Sequence, residues 1–222
     1  MSKETAYQEA ALKQQIVDIT NELFQADIVT PSGGNVSGRI EGADTVWITP
    51  TRMFKGSLTV DDLIRVDLEG NMLEGRTQPS IETPMHTGIM RARPGVLAVV
   101  HSHAPHATAM AVCGVCVPPI SFDAFLVSKL PVVPFAMSGA ELAEAVLERI
   151  GDWPGAFLQN HGLLAVGKSL RSAANLTLTV EHIGKILCIA RTLGGSNELQ
   201  NLPADLIVGL EGLGAQFAQM IV

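Results

Sequence analysis

The chain has 222 residues, enough for a full hydrophobic core, and a single domain spanning residues 1–222 is the simplest prediction. Its 15 Lys and Arg residues against 22 Asp and Glu residues give a net charge of −7 without any basic run, which argues against nucleic acid and membrane as partners. The first residues lack the apolar core of a signal peptide, and no uninterrupted apolar stretch is long enough to span a membrane, so a cytoplasmic protein is expected.

Helices and strands alternate along the predicted chain. Apolar residues at helical spacing predict an amphipathic helix over residues 7–27, and further helices are expected over 81–92, 138–150 and 169–193. Short apolar runs bounded by Gly or Pro predict strands at 46–49, 96–100 and 163–167 and directly before His161, with a further strand and tight turn within 61–71. The alternation indicates an α/β fold.

Two features of the first third of the chain suit an anion. Gly33 and Gly34 are adjacent in a short polar loop, and such glycines allow positive φ angles and let backbone N–H groups converge on a negative charge. Arg52 follows the strand at 46–49 and offers a planar, permanently charged fork suited to phosphate or carboxylate. A plain turn and a solvated surface charge are the alternative interpretations.

The segment 79–106 organises the rest of the chain. It holds Glu82 and, after the predicted strand, His101 and His103. Because alternate residues of a strand face one side, these two imidazoles are predicted to lie side by side. Zinc binds neutral imidazole, and a catalytic zinc site has three protein ligands and an open position; His161, where another apolar run meets a Gly turn, is the best candidate for the third ligand. A surface pair of histidines is the alternative.

Several polar residues are expected to serve the helices themselves. Ser80 can cap the helix over 81–92, and Glu82 can be an ordinary first-turn carboxylate favoured by the helix dipole. His86 is expected on the helix surface or in packing. Ser138, with Glu141 three residues later, predicts a capping box at the start of the next long helix.

Taken together, these motifs resemble the class II aldolase/adducin family, which includes L-fuculose-1-phosphate aldolase and L-ribulose-5-phosphate 4-epimerase. The similarity covers roughly residues 10 to 195 in the family's order. It is carried by the segments Ser32–Ser37, Ile48–Thr51, Pro79–Glu82, Arg93–Pro94, Ala98–His106 and Asn160–Gly162. Several collinear motifs are far more specific than any one of them.

The resemblance implies a three-layer α/β/α fold with a central, mostly antiparallel sheet, and a homotetramer with active sites at subunit interfaces. It implies Zn²⁺, or another divalent metal such as Mn²⁺ or Co²⁺, bound by His101, His103 and His161, with Glu82 as the catalytic acid/base. The residues that it implies for substrate and anion binding, with Arg52 added for its charge, are Gly34, Asn35, Thr51, Arg52 and Ser80.

Three positions depart from the aldolases that this chain resembles. Arg52 stands where they tend to have Gly, and Ile81 stands where they tend to have a second Ser. Phe122 stands where they place a tyrosine proton donor, and the chain's single tyrosine is Tyr7. The predicted anion pocket is therefore retained but altered, and aldol chemistry here would proceed without a tyrosine acid.

The predicted function is a zinc-dependent carbon–carbon lyase, an aldolase, that acts on a short ketose phosphate through a metal-stabilised enediolate. Its partner is a small molecule, a sugar phosphate or a hydroxy acid. The first alternative is a metal-dependent decarboxylase of a hydroxy or aromatic acid on the same fold. A pentulose-phosphate 4-epimerase, a methylthioribulose-phosphate dehydratase and a non-catalytic adducin-like binding module are further alternatives.

Overall fold

The computed structural model describes residues 3–114, 117–195 and 198–211. Its centre is an eight-stranded sheet in the order β4-β3-β2-β1-β5-β8-β7-β6, in which only the β6–β7 pair is parallel. The strands are β1 (Asn35–Gly38), β2 (Thr45–Ile48), β3 (Ile64–Asp67), β4 (Met72–Glu74), β5 (Ala98–Ser102), β6 (Val132–Val133), β7 (Gly155–Leu158) and β8 (Gly162–Gly167).

Helices cover both faces of this sheet. They are α1 (Lys3–Gln25), α2 (Thr83–Ala92), α3 (Pro105–Cys113), α4 (Phe122–Val127), α5 (Ala140–Ile150) and α6 (Leu170–Gly194). Buried side chains of α1, α3, α4 and α6 form one core with the sheet, and those of α2 and α5 form a second core on the opposite face. The predicted three-layer α/β/α fold with a mostly antiparallel sheet is therefore confirmed. None of the helices in the described ranges has both the length and the apolar character needed to cross a membrane.

The central strands β5 and β8 are mostly apolar along their whole length because both of their faces are covered. Every residue of each strand is buried, and five residue pairs join the two strands in antiparallel register. A strand with one face in water would alternate apolar and polar residues instead. The polar side chains that these strands carry, such as that of His101, are therefore placed inside the protein.

Two predicted helix caps are wrong, and both residues lie beside Glu82 instead. Helix α2 begins at Thr83, and the hydroxyl oxygen of Ser80 accepts the backbone N–H of Glu82 at 3.2 Å without capping the first turn. Helix α5 begins at Ala140 without a side-chain cap, and the Ser138 hydroxyl donates to the Glu82 carboxylate at 3.0 Å. Ser80 thus bonds within its own segment ahead of the helix, whereas Ser138 exchanges its local cap for a contact with a distant segment.

The strand register brings distant polar residues together at one end of the sheet. Asn35, the first residue of β1, pairs with His101 in β5, and His101 pairs with Leu164 in β8. The tight turn between β7 and β8 places Asn160 at a φ of +56°, a left-handed conformation that Asn tolerates better than most residues. The same turn carries His161 to the end of β5.

Candidate metal and acid–base site

Three imidazoles meet at this end of the sheet. His101 lies in β5, His103 follows that strand, and His161 lies in the turn between β7 and β8. Their candidate ligand atoms all lie within 4.8 Å of one another, and the Nε2 atoms of His101 and His103 are 3.0 Å apart. The structure thus gathers the three histidines that the sequence predicts as metal ligands into one cluster.

The surroundings of the cluster favour neutral imidazoles. His101 is fully buried, and burial lowers the pKa of its imidazole to about 3. Burial also lowers the pKa of His103, and the neighbouring His161 lowers it further. The Nδ1 atom of His101 lies 3.1 Å from the carbonyl oxygen of Leu163, which can only accept, so Nδ1 carries the hydrogen. The Nε2 atom of His101 therefore directs its lone pair into the cluster.

The donor set fits a divalent metal of the zinc type. Neutral imidazole nitrogen is a preferred ligand of zinc and of similar first-row ions. Ligand atoms at about 2.1 Å from a tetrahedral zinc ion lie roughly 3.4 Å from each other. The 3.0 Å between the Nε2 atoms of His101 and His103 is close to this spacing. Three such ligands leave a coordination position open, as a catalytic site requires.

The Glu82 carboxylate faces the histidines. One of its oxygens lies 3.2 Å from Nε2 of His161 and the other lies 3.4 Å from Nε2 of His101. The Asn35 amide donates to it at 2.7 Å, and the Ser138 hydroxyl donates to it at 3.0 Å. Burial alone would raise the pKa of Glu82, but hydrogen bonds from His161 and Asn35 oppose burial, and the pKa lies below its usual range. Glu82 is therefore ionised at neutral pH.

A chain of buried hydrogen bonds fixes the Asn35 amide on the side away from Glu82. Because the amide nitrogen of Asn35 donates to Glu82, its amide oxygen faces Nε2 of His86 and accepts a hydrogen from it. Nδ1 of His86 then accepts from the Ser37 hydroxyl at 2.7 Å. Burial lowers the pKa of His86 to about 4, so the ring is neutral and can accept and donate at once. His86 orients Glu82 through Asn35.

The residues predicted to bind an anion line one cavity of about 150 Å³, which also contacts Glu82, His103 and His161. These residues are Gly34, Asn35, Thr51, Arg52 and Ser80. The structure therefore brings the predicted anion residues and the histidine cluster to a common space. Their roles in binding remain predictions.

The anion residues differ in how free their polar groups are. The Asn35 amide is already engaged by Glu82 and His86. The Ser80 hydroxyl accepts from the N–H of Glu82, and its own hydrogen has no acceptor among the described residues. Arg52 is exposed, with a φ of +52°. The Thr51 hydroxyl also makes no hydrogen bond to the described residues, so Thr51, Ser80 and Arg52 are the predicted anion residues whose side chains have donors to spare.

Sequence reasoning missed four residues of this region: Ser37, Lys55, His86 and Ser138. Lys55 lines the cavity with an exposed fraction of only 1%, although its Lys-Gly-Ser sequence resembles a surface turn. His86 could have been found, because it lies four residues after Glu82 and therefore near it on a helical path. The other two contacts join segments far apart in the chain, and no local pattern predicts them.

Gly33 lets the glycine loop pack directly against the metal cluster. A Cβ atom at this position would lie 2.6 Å from Nδ1 of His103 and 2.6 Å from the hydroxyl oxygen of Thr30. Both separations are too short for non-bonded atoms, so only Gly fits here. The next residue, Gly34, has a φ of +80°, which also favours Gly. The predicted glycine loop is therefore one wall of the histidine cluster.

A three-layer fold with a three-histidine cluster and a buried glutamate at one end of a mostly antiparallel sheet defines a domain of the class II aldolase type. The chain belongs to the class II aldolase and adducin family, because the family model for the class II aldolase and adducin N-terminal domain matches residues 14–188. The family predicted from the sequence motifs is thereby confirmed.

The curated relatives include L-ribulose-5-phosphate 4-epimerase UlaF of Salmonella paratyphi B. It is 30% identical to this chain over 195 residues, which cover 81% of this chain and 85% of the relative. The protein of the same name from Salmonella typhi matches to the same extent. Both of these relatives are named as epimerases.

Solved structures with the same fold include two aldolases. An L-fuculose 1-phosphate aldolase has a TM-score of 0.78 and 27% identity, covering 95% of this chain and 97% of the aldolase. The L-fuculose-1-phosphate aldolase of Thermus thermophilus has a TM-score of 0.70 and 28% identity over 86% of this chain and 100% of the other. YgbL of Klebsiella pneumoniae, named as a candidate aldolase/epimerase/decarboxylase, has a TM-score of 0.81 and 28% identity, with coverages of 91% and 99%.

Proposed function

We propose that the protein is a zinc-dependent carbon–carbon lyase, an aldolase, that acts on a short ketose phosphate with Glu82 as the acid/base. The observation that carries this proposal is the position of the Glu82 carboxylate, with its oxygens 3.2 Å and 3.4 Å from the Nε2 atoms of His161 and His101. A proton carrier beside a cluster of three imidazoles is the arrangement that metal-assisted bond cleavage next to a carbonyl requires.

His101, His103 and His161 would hold the metal, Zn²⁺ or a related ion such as Mn²⁺ or Co²⁺. When bound, such an ion supplies a Lewis acid that polarises the oxygens of the substrate. The backbone carbonyl of Leu163 orients the ring of His101 for this role. Burial keeps His101 and His103 in the neutral form that a metal needs.

Glu82 would move the proton. In a 2-ketose the carbonyl can accept the electrons of the bond between C3 and C4, and cleavage takes a proton from the C4 hydroxyl and delivers one to C3. Glu82 is ionised at rest, so it first acts as a base and returns the proton as an acid. Hydrogen bonds from Asn35 and Ser138 fix the direction of its carboxylate.

A pentulose-phosphate 4-epimerase is the second candidate, and the 30% identity to a protein with that name favours it. Within the described residues Glu82 is the one carboxylate that lines the cavity. Inversion at C4 by direct proton exchange would need proton carriers on both faces of the carbon, whereas cleavage and rejoining of the C3–C4 bond needs a carrier for the proton of the C4 hydroxyl. Both candidates therefore use the same residues for the first step.

The first test is hydrogen exchange. Zinc-loaded protein is incubated in D₂O with dihydroxyacetone phosphate and no aldehyde, and NMR follows the hydroxymethyl protons. We expect stereospecific exchange of one proton, because Glu82 would remove it and return deuterium. Glu82→Gln should keep the metal and slow the exchange roughly 10²- to 10⁴-fold. The control is Glu148→Gln, which removes an exposed carboxylate of α5.

The results separate the candidates. Absence of exchange with zinc bound would contradict the aldolase proposal and favour decarboxylation of a hydroxy acid. Conversion of L-ribulose 5-phosphate to its 4-epimer would establish the epimerase. A purified protein without stoichiometric metal would favour the adducin-like binding module. One domain over residues 1–222, a homotetramer and a cytoplasmic location stay predictions from the sequence.

A further inference from the structure

His103 differs from His101 in how its ring is oriented. Nδ1 of His101 donates to the carbonyl oxygen of Leu163, whereas Nδ1 of His103 has no hydrogen-bond partner in the part of the chain that the structure describes. A histidine that binds a metal is normally oriented by an acceptor for its second ring nitrogen. The direction of the His103 ring is therefore set by packing and by the backbone that carries it.

Packing confines the His103 ring on two sides. A Cβ atom at Gly33 would lie 2.6 Å from Nδ1 of this ring, and a Cβ atom at Gly162 would lie 3.3 Å from its Cδ2 atom. Neither glycine forms a hydrogen bond with the ring. The two glycines limit where the ring can be, but the backbone of His103 decides how far the ring reaches into the cluster.

This backbone enters a helix almost at once. One residue separates His103 from α3, which begins at Pro105 and has no cap from a neighbouring side chain. Pro105 carries no N–H. The N–H groups of His106 and Ala107 are therefore the first helical donors, and such groups in the first turn of a helix have no backbone acceptor within it.

Glu181 of α6 supplies the missing acceptor. Its carboxylate accepts the N–H of His106 at 2.9 Å, the N–H of Ala107 at 3.0 Å and the Nδ1–H of His106 at 2.6 Å. It does the work of a cap residue from 75 residues away in the chain. Gly184 lies one turn later in α6, and a Cβ atom there would lie 2.7 Å from Cβ of His106. Glycine at this position thus lets α6 approach the start of α3 closely enough for Glu181 to hold it.

We propose that Glu181 is a positioning residue of the metal site. By holding the first turn of α3, it fixes the backbone of His103 and hence the direction of a ring that has no orienting hydrogen bond of its own. Glu181 forms no hydrogen bond or ion pair with the three clustered histidines in the described ranges, so it acts through the backbone. The inference rests on the proposed function only in taking His103 as a metal ligand.

Zinc titration of the protein in competition with a chromophoric chelator tests this proposal. Glu181→Ala should raise the Kd for zinc roughly 10- to 100-fold, the usual effect of removing a group that orients a metal ligand. Glu181→Gln keeps one oxygen that can accept a backbone N–H, so it should recover part of the lost affinity.

Ile16→Val is the control for a general loss of stability. Ile16 is fully buried and packs beside Gly38, at the end of β1 opposite Asn35 and the histidine cluster. The substitution should lower the melting temperature, because it leaves a cavity in the core. It should leave the Kd for zinc unchanged.

A double-mutant cycle tests whether the effect passes through His103. In the His103→Ala background, Glu181→Ala should change the Kd for zinc by no more than about twofold, because the ring that Glu181 positions is gone. In the His161→Ala background, the same substitution should still raise the Kd about tenfold or more. A general loss of structure would weaken zinc binding equally in both backgrounds.

An unchanged Kd for zinc in Glu181→Ala would overturn the proposal, and so would equal losses in the two histidine backgrounds. If Glu181→Ala does not fold, Glu181→Gln replaces it in the titration and in the cycle. The expected result is then a rise of a few-fold that disappears in the His103→Ala background, and a rise in both backgrounds would overturn the proposal.

Zinc binding involves no substrate, so this test is independent of the reaction. Zinc affinity that depends on Glu181, without proton exchange in dihydroxyacetone phosphate, would contradict the aldolase and leave the role of Glu181 standing. Proton exchange together with an unchanged Kd for zinc in Glu181→Ala would overturn the role of Glu181 alone. An unmodified protein that binds no zinc or related ion would contradict both.

Discussion

The two ends of the active-site cavity differ in how many of their polar groups have hydrogen-bond partners within the protein. At the histidine end, Glu82 accepts hydrogen bonds from Asn35 and Ser138 and contacts two imidazoles, and His101 is held by a backbone carbonyl. At the cationic end, the side chains of Lys55 and Arg52 together make one hydrogen bond to the described part of the chain.

The difference distinguishes groups that the fold alone holds in place from groups whose partners must come from a ligand. The histidine end holds its groups in fixed directions before any substrate arrives, as catalysis requires. At the cationic end, the buried charge of Lys55 has no partner among the described residues, which destabilises the folded protein unless an anion binds. The first end is therefore suited to chemistry and the second to recognition.

The largest expected effect is at the histidine end. Replacing His101, His103 or His161 with Ala should lower bound metal well below one equivalent, because each change removes one of three ligands. We also expect proton exchange to fall by at least roughly 10³-fold. Metal analysis of the purified variants measures the first effect. His182→Ala removes an exposed histidine and is the control; unchanged metal content in any of the three variants would contradict the ligand set.

A smaller effect is expected from replacing His86, which contacts Asn35 on the side away from Glu82. His86→Leu should leave the Ser37 hydroxyl and the Asn35 carbonyl unpaired, destabilising the protein by about 1–3 kcal/mol in urea unfolding. Because Asn35 then no longer holds Glu82 in one direction, we expect proton exchange to slow about tenfold with metal content unchanged.

His86→Gln is the matched variant, since a side-chain amide can still donate to Asn35. It should recover part of the lost rate. A Leu variant that exchanges protons at the full rate would show that the chain from Ser37 to Asn35 has no part in positioning the carboxylate. Equal losses in the Leu and Gln variants would point to packing as the cause.

The smallest effect is expected at the cationic end, in the absence of phosphate. The pKa of Lys55 is about 8 in the folded protein and 10.5 when unperturbed, so the unfolded chain binds more protons between these values. The stability of the unmodified protein relative to Lys55→Met should therefore rise as pH increases through this window. The other charged or titratable groups that line the cavity are Arg52, Glu82, His103 and His161.

Melting temperatures of the two proteins across this pH range measure the effect, and subtraction removes the titration of all other groups. We expect the difference to be constant below about pH 8 and to change by a few degrees above it. A difference that stays constant up to pH 10.5 would mean that Lys55 is not desolvated.

The sequence predicted the parts of the site that depend on short stretches of chain. His101 and His103 were found because strand alternation is local, and the buried run before them identified the strand. The layered fold followed from the motifs that resemble the family. Glu82 needed that resemblance as well, because a carboxylate near the start of a helix is common for other reasons.

The residues that the sequence did not predict are those whose surroundings come from distant segments. Ser138 and Glu141 satisfy a capping pattern, yet Ser138 turns to Glu82, 56 residues earlier in the chain. Lys55 is buried although it is a lysine, and its backbone N–H donates to the carbonyl oxygen of Pro31, 24 residues earlier in the chain. Local propensity cannot report such contacts, because they exist only after the sheet has assembled.

Gly33 joins the two ends of the cavity mechanically. Because Gly33 has no side chain, the glycine loop beside the cationic end packs against the ring of His103. A methyl group at Gly33 would displace the ring or the loop. Any displacement of this loop would remove the surface against which His103 packs. The loop and the metal site therefore cannot change shape independently, and sequence changes in the loop have to preserve the position of a histidine that lies 70 residues further along the chain.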